Sequence, residues 1–170
     1  IVYFLRYSTE EFRERVDLFL KATSQYMFLS SARVYADCGS LICEESPRLL
    51  ETSNDKVFLS TDEYSLAKAR QEDILKSKKA RNWTIVRPYI TYSVDRLQLG
   101  VLEKEEWLYR AIKGRAIVIS REVLEKRTTL TYGLDVSKTI FRFIGLQSAL
   151  GNVFQIASEE TCLWSDVLEL

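Results

Sequence analysis

Two short apolar runs, Tyr26–Leu29 and Trp83–Arg87, constrain the fold of this chain more than any other feature. Neither run alternates regularly between apolar and polar residues, as a strand with one face in water would. Nearly continuous apolar runs of this length are typical of parallel strands that helices cover on both faces. Helical patterns separate the predicted strands, so the sequence predicts an α/β fold built on a parallel sheet.

The first third of the chain supplies a further strand and a helix. Ile1–Leu5 reads as an apolar strand, and Ser8 with Glu11 forms the capping-box pattern that opens a helix. Apolar residues recur after Glu11 at helical spacing, which predicts that one face of this helix is buried. The predicted core positions of the helix are Phe12, Val16, Phe19 and Leu20.

The segment after Ser31 contains about thirty residues with little periodicity, and loops of that length are usually functional or disordered. We therefore predict a long loop there. The pattern Ser60–Glu63 resembles a capping box and predicts the start of a helix that carries Tyr64 and Lys68.

The remainder of the chain, after Tyr92, has mixed patterns that favour a smaller α/β lobe. Helices are predicted at Leu102–Lys113 and Leu134–Ala149, strands at Ala116–Ile119, Thr128–Tyr132 and Asn152–Ile156, and a last helix within Thr161–Leu170.

Polar residues that are able to take part in a reaction lie at the predicted sheet edge. Ser30 and Ser31 follow a buried strand, and open α/β sheets bind ligands at the carboxyl ends of their strands. Tyr64 and Lys68 are four residues apart and so share a helix face. A phenol has a reference pKa near 10, and a neighbouring cation favours its ionised form. Ser31, Tyr64 and Lys68 are therefore sufficient for proton transfer to or from a hydroxyl, the alternative being an exposed helical pair.

Three ordered segments carry a resemblance to a known family. Leu29–Tyr35, Tyr64–Lys68 and Thr84–Pro88 together resemble the extended short-chain dehydrogenase/reductase family, the NAD-dependent epimerase/dehydratase group. A weaker likeness continues through Asp135–Val136 to Asn152–Ile156, so the resemblance covers most of the chain.

The resemblance implies roles for individual residues. The cofactor would be NAD or NADP, with residues 1–92 forming the carboxyl-terminal part of the dinucleotide-binding domain and residues 93–170 forming mainly an intertwined substrate-binding lobe. Arg127 would meet the substrate, although it lies one residue from the expected register. The implied catalytic residues are Ser31, Tyr64 and Lys68, the implied cofactor-binding residues are Ser30, Tyr64, Lys68, Pro88 and Tyr89, and the implied substrate-binding residues are Ser31 and Arg127.

The chain departs from the family at its beginning. These proteins open with a Gly-rich turn, because only glycine lets the backbone approach a pyrophosphate at a helix N-terminus. The six glycines here are scattered, so we expect a fragment: the carboxyl-terminal part of a Rossmann-type doubly wound parallel sheet plus a smaller mixed α/β substrate lobe.

The residues after Ser31 narrow the expected reaction. Dehydratase relatives carry an Asp-Glu pair there to eliminate water, whereas this chain has Ala32 and Arg33. Ile90 and Ala36 also differ from common residues of sugar epimerases. We therefore expect an NAD(P)-dependent oxidoreductase or epimerase that acts on a sugar-like secondary alcohol, with nucleotide sugars included in this class.

Composition excludes several other classes. The chain has no histidine and three cysteines, which disfavours a zinc site, a cysteine nucleophile and a Ser-His-Asp triad, so no metal is expected. Its 24 basic and 24 acidic residues cancel, and no apolar run suggests a membrane span. We expect a cytoplasmic homodimer with a small-molecule substrate. A noncatalytic scaffold that binds a nucleotide or RNA is the alternative, although retention of Ser31, Tyr64 and Lys68 argues against it.

Overall fold

Strands and helices alternate along the first half of the chain, as the two apolar runs predict. The structure is a computed structural model that describes residues 1–169. Its elements in chain order are β1 (Val2–Tyr3), α1 (Thr9–Lys21), β2 (Tyr26–Leu29), α2 (Leu49–Thr52), α3 (Lys56–Ser60), α4 (Tyr64–Ser77), β3 (Trp83–Pro88), β4 (Thr91–Tyr92), α5 (Lys104–Ile112), α6 (Arg121–Leu124), β5 (Arg127–Thr128), β6 (Thr131–Tyr132), α7 (Gly133–Phe143), β7 (Asn152–Ile156), β8 (Cys162–Leu163) and α8 (Trp164–Leu168).

The main sheet has four parallel strands in the order β1-β2-β3-β7. Leu29 at the end of β2 pairs with Val86, and Pro88 at the end of β3 pairs with Ile156. All four strands therefore end at the same edge of the sheet, which confirms the predicted parallel α/β fold. Ser30 and Ser31 follow directly at this edge.

One face of the sheet is covered by α1 and α4. Phe12 and Val16 of α1 are fully buried, and the Phe12 ring lies 5.1 Å from the Phe28 ring of β2. Leu75 of α4 and Ile85 of β3 belong to the same buried cluster. Each such side chain contributes roughly 1.5–3 kcal/mol through removal of apolar surface from water.

The segment that follows α7 packs on the opposite face. The Gln25 amide donates to the carbonyl of Phe143 at 2.9 Å and accepts from the amide of Gly145 at 2.8 Å. The Phe143 ring stacks on Phe154 of β7 at 4.5 Å. Helical segments therefore lie on both faces of the sheet, as its apolar strands require.

The start of α1 is stabilised by the predicted capping box. The Ser8 hydroxyl accepts from the amide of Glu11, and the Glu11 carboxylate accepts from the amide of Ser8 at 2.9 Å. Two amide groups that the helix leaves without partners are satisfied in this way.

Replacement of Ser8 by alanine is expected to lower the free energy of unfolding by about 1 kcal/mol, because one of these amides then loses its acceptor. Chemical denaturation followed by circular dichroism measures the change. Thr9→Ala is not a suitable control, since the Thr9 hydroxyl donates to Asp62 at 2.5 Å. Ser77→Ala on α4 is better, because this exposed hydroxyl donates only to the carbonyl of Ile74 in its own helix, at 2.7 Å, and caps no helix amide. Equal losses in the Ser8 and Ser77 variants would contradict the capping role.

Contacts divide the chain into two compact units. The first unit contains residues 1–88 and 139–156, and the second contains residues 89–138 and 157–170. The sequence-based division at residue 92 differs from these units in residues 89–92 and 139–156. Residues 139–156 join the first unit because β7 pairs with β3 of the main sheet. The assignment of cofactor binding to one part and substrate binding to the other stays a prediction.

The second unit has its own small sheets and core. Strands β4 and β6 pair in parallel, and β5 and β8 pair antiparallel. The Trp107 indole donates to the carbonyl of Leu97 at 3.0 Å. The fully enclosed core residues of this unit are Leu99, Trp107, Trp164 and Val167.

Two predicted elements, a strand and a helix, differ from the structure for identifiable reasons. Residues 116–119 form no strand, although Ile117 and Ile119 pack on the core of the second unit and Val118 faces water. The predicted helix over residues 134–149 ends at Phe143, because Gly145 adopts a left-handed φ of 78°. A short 3₁₀ turn at Gln147–Ala149 follows.

The predicted long loop and the predicted start of α4 also need correction. The loop contains α2 and α3, and Ser60 belongs to the end of α3, where its hydroxyl donates to Val57 at 2.7 Å. The cap of α4 is Glu63, whose carboxylate accepts from the amide of Ser65 at 2.7 Å. The predicted strand at 128–132 is two short strands, β5 and β6, because they pair with different partners.

Within residues 1–169, no helix is both long and apolar enough to cross a membrane. Over the same residues, no group of three or more histidine, cysteine, aspartate or glutamate side chains has an arrangement that could hold a metal ion. The three cysteines are unpaired thiols.

Candidate active site

The carboxyl end of β2 forms the base of the candidate site. Ser31 caps a short 3₁₀ turn at Ala32–Val34, and its hydroxyl oxygen accepts from the amide of Arg33 at 3.2 Å. The hydroxyl is half-buried and its proton remains available to a ligand oxygen. Ser31 therefore sits at the sheet edge where the fold places ligands.

Helix α4 brings Tyr64 and Lys68 to the same edge. Tyr64 is the first residue of the helix and half-buried, and its hydroxyl makes no hydrogen bond to another residue among 1–169. Lys68, one turn later, donates from Nζ to the carbonyl of Leu29 at 2.8 Å, two residues before Ser31. Its ammonium lies 4.6 Å from the centre of the Phe28 ring and 5.9 Å from that of Tyr64.

The Lys68 ammonium is an unusual charge for the interior of a protein. Lys68 is only 6 % exposed, and burial lowers its pKa to about 8, with the positive charge of Arg6 acting in the same direction and the negative charge of Glu72 opposing it. A buried cation that titrates close to neutral pH is more typical of functional sites than of packing.

A second buried group, Glu72, lies one turn beyond Lys68 on α4. Its carboxylate accepts from Arg87 of β3 through two hydrogen bonds of 2.8 and 2.6 Å, and from the Ser30 hydroxyl at 2.6 Å. Arg48 adds a further contact at 3.2 Å. Glu72 therefore ties together α4 and the carboxyl ends of β2 and β3.

Electrostatics keep this carboxylate ionised. Burial alone would raise the pKa of Glu72, but the Arg87 guanidinium and the Ser30 hydroxyl hold it below its ordinary value. Arg87 also donates to the Tyr35 hydroxyl at 2.9 Å, so the buried guanidinium is well paired. Burial raises the pKa of the Tyr35 phenol despite the nearby arginine.

Sequence reasoning missed Glu72 as a member of the site. The signal was present, because residues 64, 68 and 72 repeat at intervals of four and so lie along one helix face. A glutamate on a helix face that also carries Leu75 and buried Lys68 is improbable unless a buried cation pairs with it.

The other predicted site residues are distributed over both units. Ser30 is buried and its hydroxyl is committed to Glu72, while Pro88 ends β3 in the first unit. Tyr89 and Arg127 belong to the second unit, where exposed Arg127 donates to the Thr161 hydroxyl at 3.3 Å. The structure brings Ser31, Tyr64 and Lys68 to one edge of the first unit, and the individual roles of all these residues stay predictions.

The fold and the edge residues define a class of protein: a Rossmann-type α/β domain with a polar site at the carboxyl ends of parallel strands. No protein-family model matches the chain, and no curated protein matches its sequence. Solved structures match it through their fold, and the proteins concerned are NAD-dependent nucleotide-sugar epimerases and dehydratases.

Three of these structures illustrate the similarity. UDP-glucuronic acid 4-epimerase from Bacillus cereus, solved with UDP-glucuronic acid and NAD, has a TM-score of 0.73 and 14% identity over 95% of this chain and 49% of its own. UDP-N-acetylglucosamine 4-epimerase from Methanobrevibacter ruminantium M1 has a TM-score of 0.73 and 14% identity, covering 95% and 50%. dTDP-glucose 4,6-dehydratase from Bacillus anthracis str. Ames, solved with NAD, has a TM-score of 0.70 and 16% identity, covering 99% and 54%. The chain thus spans about half the length of each.

The residues at the edge fit one end of a dinucleotide. Lys68 makes one hydrogen bond within residues 1–169, to Leu29, so its ammonium retains two N–H donors for ribose hydroxyls. The turn between β1 and α1 contains no glycine, so this turn is not the Gly-rich pyrophosphate-binding turn of a Rossmann fold.

Proposed function

We propose that the protein, at its full natural length, is an NAD-dependent oxidoreductase of the epimerase kind that acts on a secondary alcohol of a nucleotide sugar. The observation that carries the proposal is the buried Lys68 ammonium, which is held against the Leu29 carbonyl one helical turn from Tyr64. Burying an unpaired ammonium is costly, and an ordinary packing position would be filled by an apolar side chain.

Tyr64, Ser31 and Lys68 have different roles in the proposed oxidation of the alcohol. Tyr64, as phenolate, takes the proton from the substrate hydroxyl, and the Ser31 hydroxyl donates a hydrogen bond to the same oxygen. The Lys68 ammonium binds the nicotinamide ribose through the N–H groups that it does not donate to Leu29. A bound NAD would supply a reversible hydride acceptor for this chemistry, and Lys68 and Tyr64 would hold its nicotinamide ribose.

Epimerisation follows if the hydride returns to the opposite face of the carbonyl carbon. Ala32 and Arg33 follow Ser31, so these positions hold no carboxylic acid that could eliminate water. The use of NADP in place of NAD, the homodimer and the cytoplasmic location stay predictions.

The direct test supplies the protein with NAD and UDP-glucuronic acid and follows the sugar ring protons by NMR. Inversion at one carbon, with no net consumption of NAD, is the expected result. Absence of turnover with UDP-glucuronic acid, UDP-glucose and UDP-N-acetylglucosamine, combined with salt-dependent RNA binding, would favour the noncatalytic scaffold instead.

Activity should fall as the pH rises through about 8, because Lys68 has a pKa lowered to about 8 and loses its positive charge above that value. An ordinary lysine would keep its charge to a pH near 10. The measurement is the pH dependence of kcat/KM for the nucleotide sugar. Lys68→Arg keeps a cation at every accessible pH, so its residual activity should show no such decline, and an identical decline in both proteins would exclude Lys68 as its origin.

A further inference from the structure

Two arginines outside the serine, tyrosine and lysine set approach the Tyr64 ring. The guanidinium carbon of Arg6 lies 5.4 Å from the ring centre, and that of Arg33 lies 5.5 Å from it. Arg6 follows β1 and Arg33 follows β2, so both come from the carboxyl edge of the main sheet. With Lys68, three cations from three segments surround a single aromatic ring.

Carboxylates do not balance these charges. Arg33 lies 3.5 Å from one oxygen of Glu63, whose other oxygen caps α4 through the amide of Ser65. Among residues 1–169, Arg6 forms no ion pair or hydrogen bond with another side chain or carbonyl. Glu72, the next carboxylate along the helix, is already paired with Arg87. The site therefore carries an excess of positive charge.

The arginines are arranged in a way that leaves them able to bind. A guanidinium that lies near an aromatic ring without donating to a carbonyl or carboxylate there keeps N–H groups free for hydrogen bonds to a ligand carboxylate. Both arginines are exposed, so a ligand can reach them. The field of Arg6 is felt at Lys68, whose pKa is lowered by burial first and by Arg6 second.

We propose that Arg6 and Arg33 bind a carboxylate group of the sugar substrate, so that acid sugars of the uronate type are the preferred substrate class. The inference rests on the proposed function and specifies its substrate. The amide of Arg33 donates to the Ser31 hydroxyl, which ties this arginine to the group that holds the reacting oxygen. A carboxylate on the sugar ring would lie near the reacting carbon and so within reach of this edge, whereas the diphosphate lies at the other end of a nucleotide sugar.

The test compares UDP-glucuronic acid with UDP-glucose, which differ only by the carboxylate. Binding of each to the NAD-loaded protein is measured by calorimetry for the wild type, Arg6→Gln, Arg33→Gln and the double variant. Arg13→Gln on α1 is the matched control, because Arg13 is exposed and pairs only with Glu10. Loss of a charged hydrogen bond should weaken UDP-glucuronic acid binding on the order of 10- to 100-fold in the Arg6 and Arg33 variants and leave UDP-glucose binding unchanged.

Each other outcome has a definite meaning. Equal weakening for both nucleotide sugars would show that the arginines bind a phosphate group, and it would overturn the substrate class. Unchanged binding of both in the double variant would overturn the anion site while leaving the proposed function intact. Failure of the wild type to bind or convert either nucleotide sugar would count against the proposed function and against the inference that rests on it.

Discussion

Tyr64→Phe is expected to reduce turnover by on the order of 10²- to 10⁴-fold, the usual contribution of a positioned acid or base. Phenylalanine keeps the ring on which Arg6 and Arg33 pack but lacks the hydroxyl that accepts the proton. NAD affinity should fall far less, by the loss of one hydrogen bond to the ribose, because Lys68 keeps its place against the Leu29 carbonyl and still binds the ribose. The measurement is kcat together with the dissociation constant for NAD.

Tyr109→Phe serves as the control for this variant. Tyr109 is an exposed residue of α5 in the second unit, so loss of its hydroxyl should alter neither quantity. Normal turnover in Tyr64→Phe would refute the acid/base role of Tyr64. A loss of NAD affinity as large as the loss of turnover would instead show that the hydroxyl acts in cofactor binding and not as the acid/base.

Glu72→Gln is expected to lower the free energy of unfolding by about 3–5 kcal/mol, the usual cost of removing one partner of a buried ion pair. Glutamine has nearly the same shape, but it leaves the guanidinium of Arg87, which is only 1 % exposed, without its counter-charge. Glutamine can still accept a hydrogen bond from Ser30, so the loss is mainly electrostatic. Urea denaturation followed by circular dichroism measures the change.

Asp73→Asn is the matched control, since Asp73 is the next residue on α4 and pairs with Arg48 at 2.8 Å with its side chain 46% exposed. Exposed ion pairs contribute about 0–1 kcal/mol, so this variant should lose far less stability than Glu72→Gln. Equal small losses in both variants would contradict the view that Glu72 is the charge that joins α4 to β2 and β3.

The stability that Glu72 contributes should also depend on pH. Its pKa in the folded protein is below the ordinary value, so the stability it contributes is present above the ordinary carboxylate pKa and is lost as the pH falls toward the folded value. The difference in stability between the wild type and Glu72→Gln should therefore shrink in acid.

The main sheet could be predicted from the sequence because its strands carry their own signal. Residues 26–28 and 83–87 are buried, and burial on both faces of a sheet requires a nearly continuous apolar run. The capping box at Ser8 depends on neighbouring residues alone, so it was equally readable. The second unit was less predictable, because its two-residue strands are specified by pairing across the chain and too short to show a period.

The candidate site shows the same division between local and long-range information. The spacing of Tyr64 and Lys68 is local, and the sequence indicated that they share a helix face. The contacts of Arg87 with Glu72 and of Arg6 with Tyr64 join residues 15 and 58 positions apart in the chain, and no local pattern specifies them. A charged residue within a buried pattern was the available signal, but its partner depends on how the sheet and α4 pack.

The most direct test of the account is a crystal structure of the protein, at its full natural length, with NAD. We expect the nicotinamide ribose to lie within hydrogen-bond distance of both the Tyr64 hydroxyl and the Lys68 ammonium, with the nicotinamide ring beside Ser31. A nicotinamide bound elsewhere, with Lys68 still directed only at the Leu29 carbonyl, would contradict the assignment of this sheet edge as the site of hydride transfer.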